Sequence, residues 1–289
     1  MIFTFLYFSC GEDENDLQNK FIKDDYGNIF STDSLPKRII SLAPNLTECL
    51  YAIGADSLLV GVTNYCDYPP QAKTKTKIGG ILDPNYEIMT SLKPDVILLT
   101  TEGNPKNIYF SLKNYNFKVF VTNPGDINGV SNTILNLGKL TGKFKTAEDI
   151  SNIILAKKRV FELMNKDIVR KKCLLLISLS PFITVNKFTY INEIIELSGL
   201  DNLYKDEINS YPMINYESVI EKNPDYLLIS VDTGNTNLIN DYKQKLNTEL
   251  NATNAVKNNK IFFIDENLLS RPGPRVIECI DKIRKYLSG

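Results

Sequence analysis

The chain has no histidine and no tryptophan in its 289 residues. Without histidine it lacks the commonest general base and the commonest ligand for zinc and haem iron, which excludes a histidine triad or a zinc site. Its five cysteines, at 10, 49, 66, 173 and 279, contain no C-x-x-C pair. Charge of one sign is missing too. Lys+Arg number 33 against 34 Asp+Glu, a net charge of -1, so there is no basic excess to hold nucleic acid and no acidic tail to solvate. No G-x-G-x-x-G occurs. The nearest phosphate-loop stretch, GKLTGKF at 138–144, has three residues between its glycines instead of four, with Phe144 where Ser or Thr should hold magnesium. A nucleotide- or metal-dependent α/β enzyme stays only as the minor reading, and no catalytic residue, metal or cofactor is assigned.

A long hydrophobic run is also absent. Residues 1–9, MIFTFLYFS, are apolar but too few for a bilayer span, which needs about 20, and they stop at Cys10 before the polar run GEDENDLQNK. The pattern reads as the end of a signal peptide without its basic start. It resembles a bacterial lipoprotein signal, in which Cys10 is lipidated and becomes the mature N-terminus. The alternative is a buried N-terminal strand with an ordinary cysteine. With the first reading, residues 1–10 are a signal segment and 11–35 a tether.

What the chain does have is enough length and apolar content, 43% hydrophobic, to fill two cores. It also repeats itself. IISLAP at 39–44 returns as LISLSP at 176–181, and ECLYAIGADSL at 48–58 returns as EIIELSGLDNL at 193–203. NYEIMTSLKPDVILLT at 85–100 returns without a gap as NYESVIEKNPDYLLIS at 215–230, and KVFVTN at 118–123 is echoed by KIFFID at 260–265. Four pairs in the same order imply two lobes of like topology.

The local physics agrees. IISLA, VILLT, VFVT, LLLIS, YLLIS and IFFI are continuous rather than alternating apolar runs, as in strands of a parallel sheet covered on both faces. Asn45 followed by Glu48 resembles a capping box, and Asp83-Pro84 a cap with a first-turn proline opening the helix at Tyr86. Pro94 and Pro224 stop the repeated helix before its strand. Residues 143–168 contain no Gly or Pro and carry Ile150, Ile153, Ile154, Val160, Phe161 and Met164 at helical spacing, which predicts one amphipathic helix of about 35 to 40 Å. The fold class expected is therefore α/β, with similar lobes at 36–142 and 169–289, mainly parallel sheets, and one interlobe helix at 143–168. A ligand cleft lies between the lobes, faced by the carboxyl ends of the strands.

PKRIISLAPNLTE, AIGADSLLVGVTNYCDYPP, NYEIMTSLKPDVILL and SRPGPRV together resemble the helical-backbone substrate-binding proteins of ABC importers for cobalamin, iron-siderophores and haem, over about residues 36–287. GVTNYCDYPPQA and PGPR are most similar to the cobalamin-binding branch. The resemblance implies a monomeric, non-catalytic protein in the periplasm or cell envelope, anchored to a membrane by lipid on Cys10. It would capture a corrinoid-like metal complex and present it to a permease. An iron-siderophore is the sibling reading. Haem fits less well, since no histidine is available and IGGILD has Gly80 where haem-binding relatives carry a tyrosine ligand. A surface adhesion or scaffold lipoprotein is the third class.

The same resemblance assigns site residues. Tyr65 matches the tyrosine that cobalamin binders set against the corrin ring, and a rigid flat phenol suits a planar macrocycle; packing beneath its own proline turn is the alternative. Both readings stay open for Tyr68, and Cys66 is a bystander. DYPP has no echo in the second lobe. The stretch ENLLSRPGPR, read as a loop at the cleft, maps ligand contacts onto Asn267, Leu268, Leu269, Ser270 and Arg271. Leucines stand at 268 and 269 where the branch has an aromatic pair. Arg271 offers a planar fork for a phosphate, carboxylate or propionate, while Arg275 reads as structural. Glu87 and Glu217 occupy the same place in the two repeats and match the family's permease-docking glutamates, though a glutamate in a first turn is also stabilised by the helix macrodipole. Strand ends add Asn45, Glu102, Asn104, Phe182 and Asp232 as cleft candidates, each with a turn or capping alternative.

Overall fold

The computed structural model describes residues 20–288. Cys10 and the expected signal segment lie outside the described residues. The chain opens with β1 (Phe21–Lys23) and β2 (Ile29–Ser31), an antiparallel hairpin. The first lobe follows as β3 (Ile39–Ser41), α1 (Pro44–Ala52), β4 (Leu59–Val62), α2 (Tyr86–Ser91), β5 (Val96–Thr100), α3 (Lys106–Asn114), β6 (Val119–Thr122) and α4 (Ile127–Thr141). Helix α5 (Phe144–Met164) leads to β7 (Lys171–Leu176), the short hairpin β8 (Ser178–Leu179) and β9 (Phe182–Ile183), α6 (Tyr190–Leu197) and β10 (Leu200–Asn202). The second lobe closes with α7 (Tyr216–Lys222), β11 (Tyr226–Val231), α8 (Thr236–Glu249), α9 (Asn254–Lys257), β12 (Ile261–Asp265), α10 (Glu266–Ser270) and α11 (Val276–Ser288).

Each lobe holds a four-stranded parallel sheet, in the orders β4-β3-β5-β6 and β10-β7-β11-β12. Counted along the chain within each lobe, both orders are second, first, third, fourth. Strand β5, apolar from Val96 to Leu99 and ending in Thr100, is buried at all five positions, as a strand covered on both faces must be. Matching details recur at matching places. Asn85 and Asn215 cap α2 and α7 by accepting from the amides of Ile88 and Ser218. Lys93 and Asn223 both take left-handed backbone, at φ 47° and 49°, to leave those helices ahead of Pro94 and Pro224. Asp95 accepts from the amides of Lys37 and Arg38, and Asp225 from that of Lys172, tying the third strand of each lobe to the first.

These ties correct one expectation. Ile39 pairs with Val96 and Cys173 with Tyr226, so IIS at 39–41 is equivalent to CLL at 173–175. The sequence echo LISLSP sits three positions further on, running out of β7 into the β8–β9 hairpin. Both expected helix starts also move. Helix α1 begins at Pro44 after Ala43, with no side-chain cap, so Asn45 and Glu48 form no capping box; α2 is capped by Asn85, not Asp83.

Residues 20–35, expected to belong to a tether, are instead docked on the first lobe. Ile22 is buried, and Asp24 is buried while accepting from the amides of Tyr26, Asn28 and Val121. Phe30 meets Phe120 edge to face at 5.1 Å.

Helix α5 has 21 residues, hence about 30 Å, shorter than the pattern predicts. Its buried side is narrow as well. Ala147, Ser151, Ile154 and Phe161 are buried, whereas Ile153, Val160 and Met164 are exposed. The helix folds back on α4 after Gly142, and the approach is so close that a Cβ on Gly138 would lie 2.3 Å from that of Ala147. It also reaches the second lobe, where Asn165 donates to the carbonyls of Glu196 and Leu197. One apolar cluster runs through both lobes, joining Leu46, Leu50 and Ile134 of the first to Ile194, Ile280 and Ile283 of the second.

Candidate functional site

The carboxyl ends of both sheets converge on a seam crossed by charged side chains. Glu48 on α1, almost fully buried, accepts from Arg271 at 3.1 Å and from Arg275 through two bonds of 2.7 Å. The Arg275 contact is the two-toothed geometry that a planar guanidinium gives a carboxylate. Arg271 also donates to Asp67 at 2.7 Å, to the Tyr65 carbonyl at 3.2 Å and to Asn267 at 2.6 Å. Burial alone would raise the Asp67 carboxyl, but the Arg271 hydrogen bond and charge outweigh it and hold Asp67 below its usual range. A second tie crosses nearby: Glu193 on α6 pairs with Lys158 at 2.7 Å and accepts from the amide of Ile127 at the start of α4.

Beside this cluster lies a cavity of about 350 Å³, walled by Glu102 of the first lobe and by Tyr190, Tyr211, Glu266, Asn267 and Ser270 of the second. No lysine or arginine is among the described residues lining it. Glu102 remains solvent-accessible, yet the cavity walls desolvate its carboxyl enough to push it above the ordinary carboxylate range. Tyr211 is raised in turn, first by desolvation and then by the Glu102 charge. Because the folded carboxyl is the weaker acid, its protonated form is favoured by folding, and the benefit disappears as pH rises through the folded value. Glu102→Gln is therefore expected to raise the melting temperature slightly at pH 7, on the order of 1 °C. The two proteins should converge below about pH 4; melting curves at both pH values check it.

The remaining sequence candidates fall at varied places. Tyr65 is 58% exposed on the loop after β4, its ring free of the seam although its carbonyl is tied to it. Tyr68 packs its ring on the Arg275 guanidinium, 3.9 Å from the ring centroid, so its face is occupied. Cys66 is buried between the hydroxyls of Thr47 and Thr63. Residues 266–270 are a short helix capped by Asp265 rather than a loop. That turn puts Asn267, Leu269 and Ser270 on the cavity and buries Leu268 against the seam. Arg271, expected to offer an open fork, has both terminal nitrogens engaged by protein acceptors.

Four strand-end candidates do structural work instead. Asn45 is buried and donates to the Pro272 carbonyl across the seam; Asn104 is buried, accepting from the Thr100 amide and donating to the Leu42 carbonyl. Phe182 is buried in the core of the second lobe beneath Lys245, away from the cleft cavity. Asp232 accepts from the Gly234 amide in an exposed turn. Glu87 and Glu217 are both exposed, each in the first turn of its Asn-capped helix.

Sequence reasoning missed Glu48, Asp67, Tyr190 and Tyr211. The Glu48 bonds span more than 220 positions, so nothing in its local sequence signals them. A larger hollow of about 800 Å³ lies at the other end of the first sheet, near Leu35, Lys37, Asp95 and Lys118. It faces the amino ends of the strands, where α/β sheets rarely bind ligands.

Comparison with known proteins agrees with this geometry. A vitamin B12-binding protein of Vibrio cholerae serotype O1 is 26% identical over 254 residues, covering 87% of this chain and 89% of its own. The crystal structure of the periplasmic vitamin B12 binding protein BtuF of Vibrio cholerae superposes with a TM-score of 0.77 at 25% identity, covering 88% of this chain and 97% of that one. A Staphylococcus epidermidis protein, described as a possible iron-binding (periplasmic solute-binding) protein, gives 0.74 at 28% identity over 89% of this chain and 100% of that one. These are binding proteins and not enzymes, and what such proteins hold is a transported solute rather than a cofactor. The periplasmic binding protein family model matches residues 39–268, and with most of its length so matched the chain belongs to that family.

Proposed function

We propose that the protein is the extracytoplasmic solute-binding component of an ABC importer and that its cargo is a cobalamin or a closely related corrinoid. The observation that carries the reading is the charge of the cleft cavity. Glu102 and Glu266 line it, no lysine or arginine among the described residues does, and Arg271 at its edge is neutralised by Glu48 and Asp67. Ferric siderophores are commonly anionic and haem carries two propionates, and both call for uncommitted cations. A corrinoid has a rim of neutral amides, which hydroxyl, amide and carboxylate groups can bond. The volume suits one edge of such a macrocycle, and Tyr65, exposed and joined through its carbonyl to Arg271, is proposed to supply a flat face. The relatives described as vitamin B12-binding support the same choice.

The shared core and seam limit closure, so recognition rests on side chains already in place. Glu87 and Glu217 are the proposed permease contacts, and lipid on Cys10 the proposed anchor. Calorimetric titration of the purified protein with cyanocobalamin, haemin and a ferric siderophore tests the cargo. Binding of cyanocobalamin at micromolar concentration or tighter is expected, with the other two much weaker. No corrinoid binding at that level would overturn the choice, and tight siderophore binding would replace it with the iron reading.

A further inference from the structure

Helix α5 is apolar on two faces. Ser151, Ile154 and Phe161 turn inward, and at 3.6 residues per turn Ile153, Ala156, Val160 and Leu163 stand on the opposite side. They are exposed there, Ile153 by 62%, Val160 by 48% and Leu163 by 67%, with Met164 beside them at 55%. Packing within the chain does not use this stripe. The outward face of a surface helix normally carries charged and polar groups, and a continuous apolar strip in their place marks a surface that something else covers.

The surrounding charges indicate what covers it. Residues 153–172 hold seven Lys or Arg against Glu162 and Asp167, in a chain whose net charge is -1. Lys158 pairs with Glu193, while the other six are exposed and make no ion pair among the described residues. Lys157 flanks the stripe on one side and Arg159 on the other, and Val169, 90% exposed, extends it toward Arg170 and Lys171. A second copy is a poor occupant, since a twofold pairing of the stripe would set Lys157 and Arg159 against their own counterparts. A flat anionic surface meets both needs, taking in the apolar side chains while the basic ones reach its phosphates.

We propose that α5 is a bilayer-docking surface, seating Ile153, Val160 and Leu163 in the interfacial region of an anionic membrane with Lys157 and Arg159 at the headgroups. The position of the N-terminal segment fits. Lys20 accepts from the Thr32 amide, and Leu35 lies against Gly142, two residues before α5 begins. Cys10 precedes Lys20 by ten residues, at most about 36 Å of chain, so a lipid there would keep the helix near the bilayer. That point rests on the lipid-anchor reading; the apolar and basic groups of α5 do not. Docked this way the cleft cavity stays accessible, for none of its walls belongs to α5.

Full-length protein without lipid is sedimented with phosphatidylcholine vesicles, plain or with about 30% phosphatidylglycerol. Binding at least about tenfold tighter to the anionic vesicles is expected, and it should weaken as salt is raised. Lys157→Glu with Arg159→Glu should lower that binding at least about tenfold, and Val160→Ser with Leu163→Ser about as much, with urea midpoints nearly unchanged. All these proteins carry the same residues 1–19, so the differences belong to α5. Equal binding to both kinds of vesicle overturns the proposal, as does undiminished binding by either variant. Wild-type dimers that the serine pair dissociates, with no preference for anionic vesicles, would put a second copy on the stripe instead. The anchor is tested apart, by Cys10→Ala in cells. Release of that variant supports the anchor, and membrane retention that the charge reversal abolishes overturns the anchor and supports the docking.

Discussion

Glu48→Gln is expected to lower the unfolding free energy by about 3–5 kcal/mol, the range for breaking a buried ion pair from one side. The reason lies in the charge balance of the seam. Glu48 and Asp67 oppose Arg271 and Arg275, so the cluster is neutral, and Glu48 is the member that touches both guanidiniums. Its side chain is only 2% exposed and that of Arg271 only 9%, which leaves little water to take over. Glutamine keeps the shape but cannot balance the second cation. Asp67 cannot compensate, since it bonds Arg271 and not Arg275 and is far more exposed. Urea unfolding with an unchanged slope measures the effect. A loss below about 1 kcal/mol would place the pair in the range of surface salt bridges and show the seam to be hydrated.

The second large effect is expected in delivery rather than binding. In Glu87→Lys with Glu217→Lys, reversal of both exposed charges should reduce uptake through the importer by tenfold or more, with the cyanocobalamin dissociation constant unchanged within a factor of about two. Charges at the rim of a transient interface act on orientation and encounter rate, where steering contributes about 10- to 1,000-fold. Neither residue lines the cleft cavity. Each substitution also puts a cation at a helix N-terminus, costing about 0.3–1 kcal/mol, so a modest drop in stability should accompany the loss. Uptake by reconstituted vesicles, alongside calorimetry, separates the two. Normal uptake with normal binding would remove both glutamates from the docking surface.

Much of the fold was legible because its causes are local. Continuous apolar runs, Pro94 with Asp95 and Pro224 with Asp225, and the Asn-Tyr-Glu starts of α2 and α7 each act within a few residues. Their recurrence exposed the duplication. The register of the first repeat was misread because LISLSP resembles IISLAP in side chains, while the pairing of Cys173 with Tyr226 is decided across the sheet. The helix starts went wrong for a similar reason: Asn45 and Glu48 have capping chemistry but are drawn into contacts with Pro272, Arg271 and Arg275.

The candidate site was legible in part. Glu102 follows from the rule that strand ends face the cleft, Asn267, Leu269 and Ser270 from the family resemblance, and the structure brings the four to one cavity. Phe182 and Asn104 obey the same rule and yet turn inward, because a buried hairpin and a strand-end carbonyl claim them. Tyr190 had no signal at all. A tyrosine opening an amphipathic helix looks like core, and only the missing partner of its hydroxyl sets it apart.

The apolar cluster that passes from Leu46 and Ile134 to Ile194 and Ile280 makes the two halves one cooperative folding unit. Although the topology is duplicated and each half keeps an apolar cluster of its own, the cluster they share would be cut by separation, which would expose a broad apolar face on each. Sharing that interior ties cleft geometry to global stability: prying the lobes apart begins to unfold the molecule. Release of a tightly held cargo would then require work done from outside, by whatever grips both lobes at once.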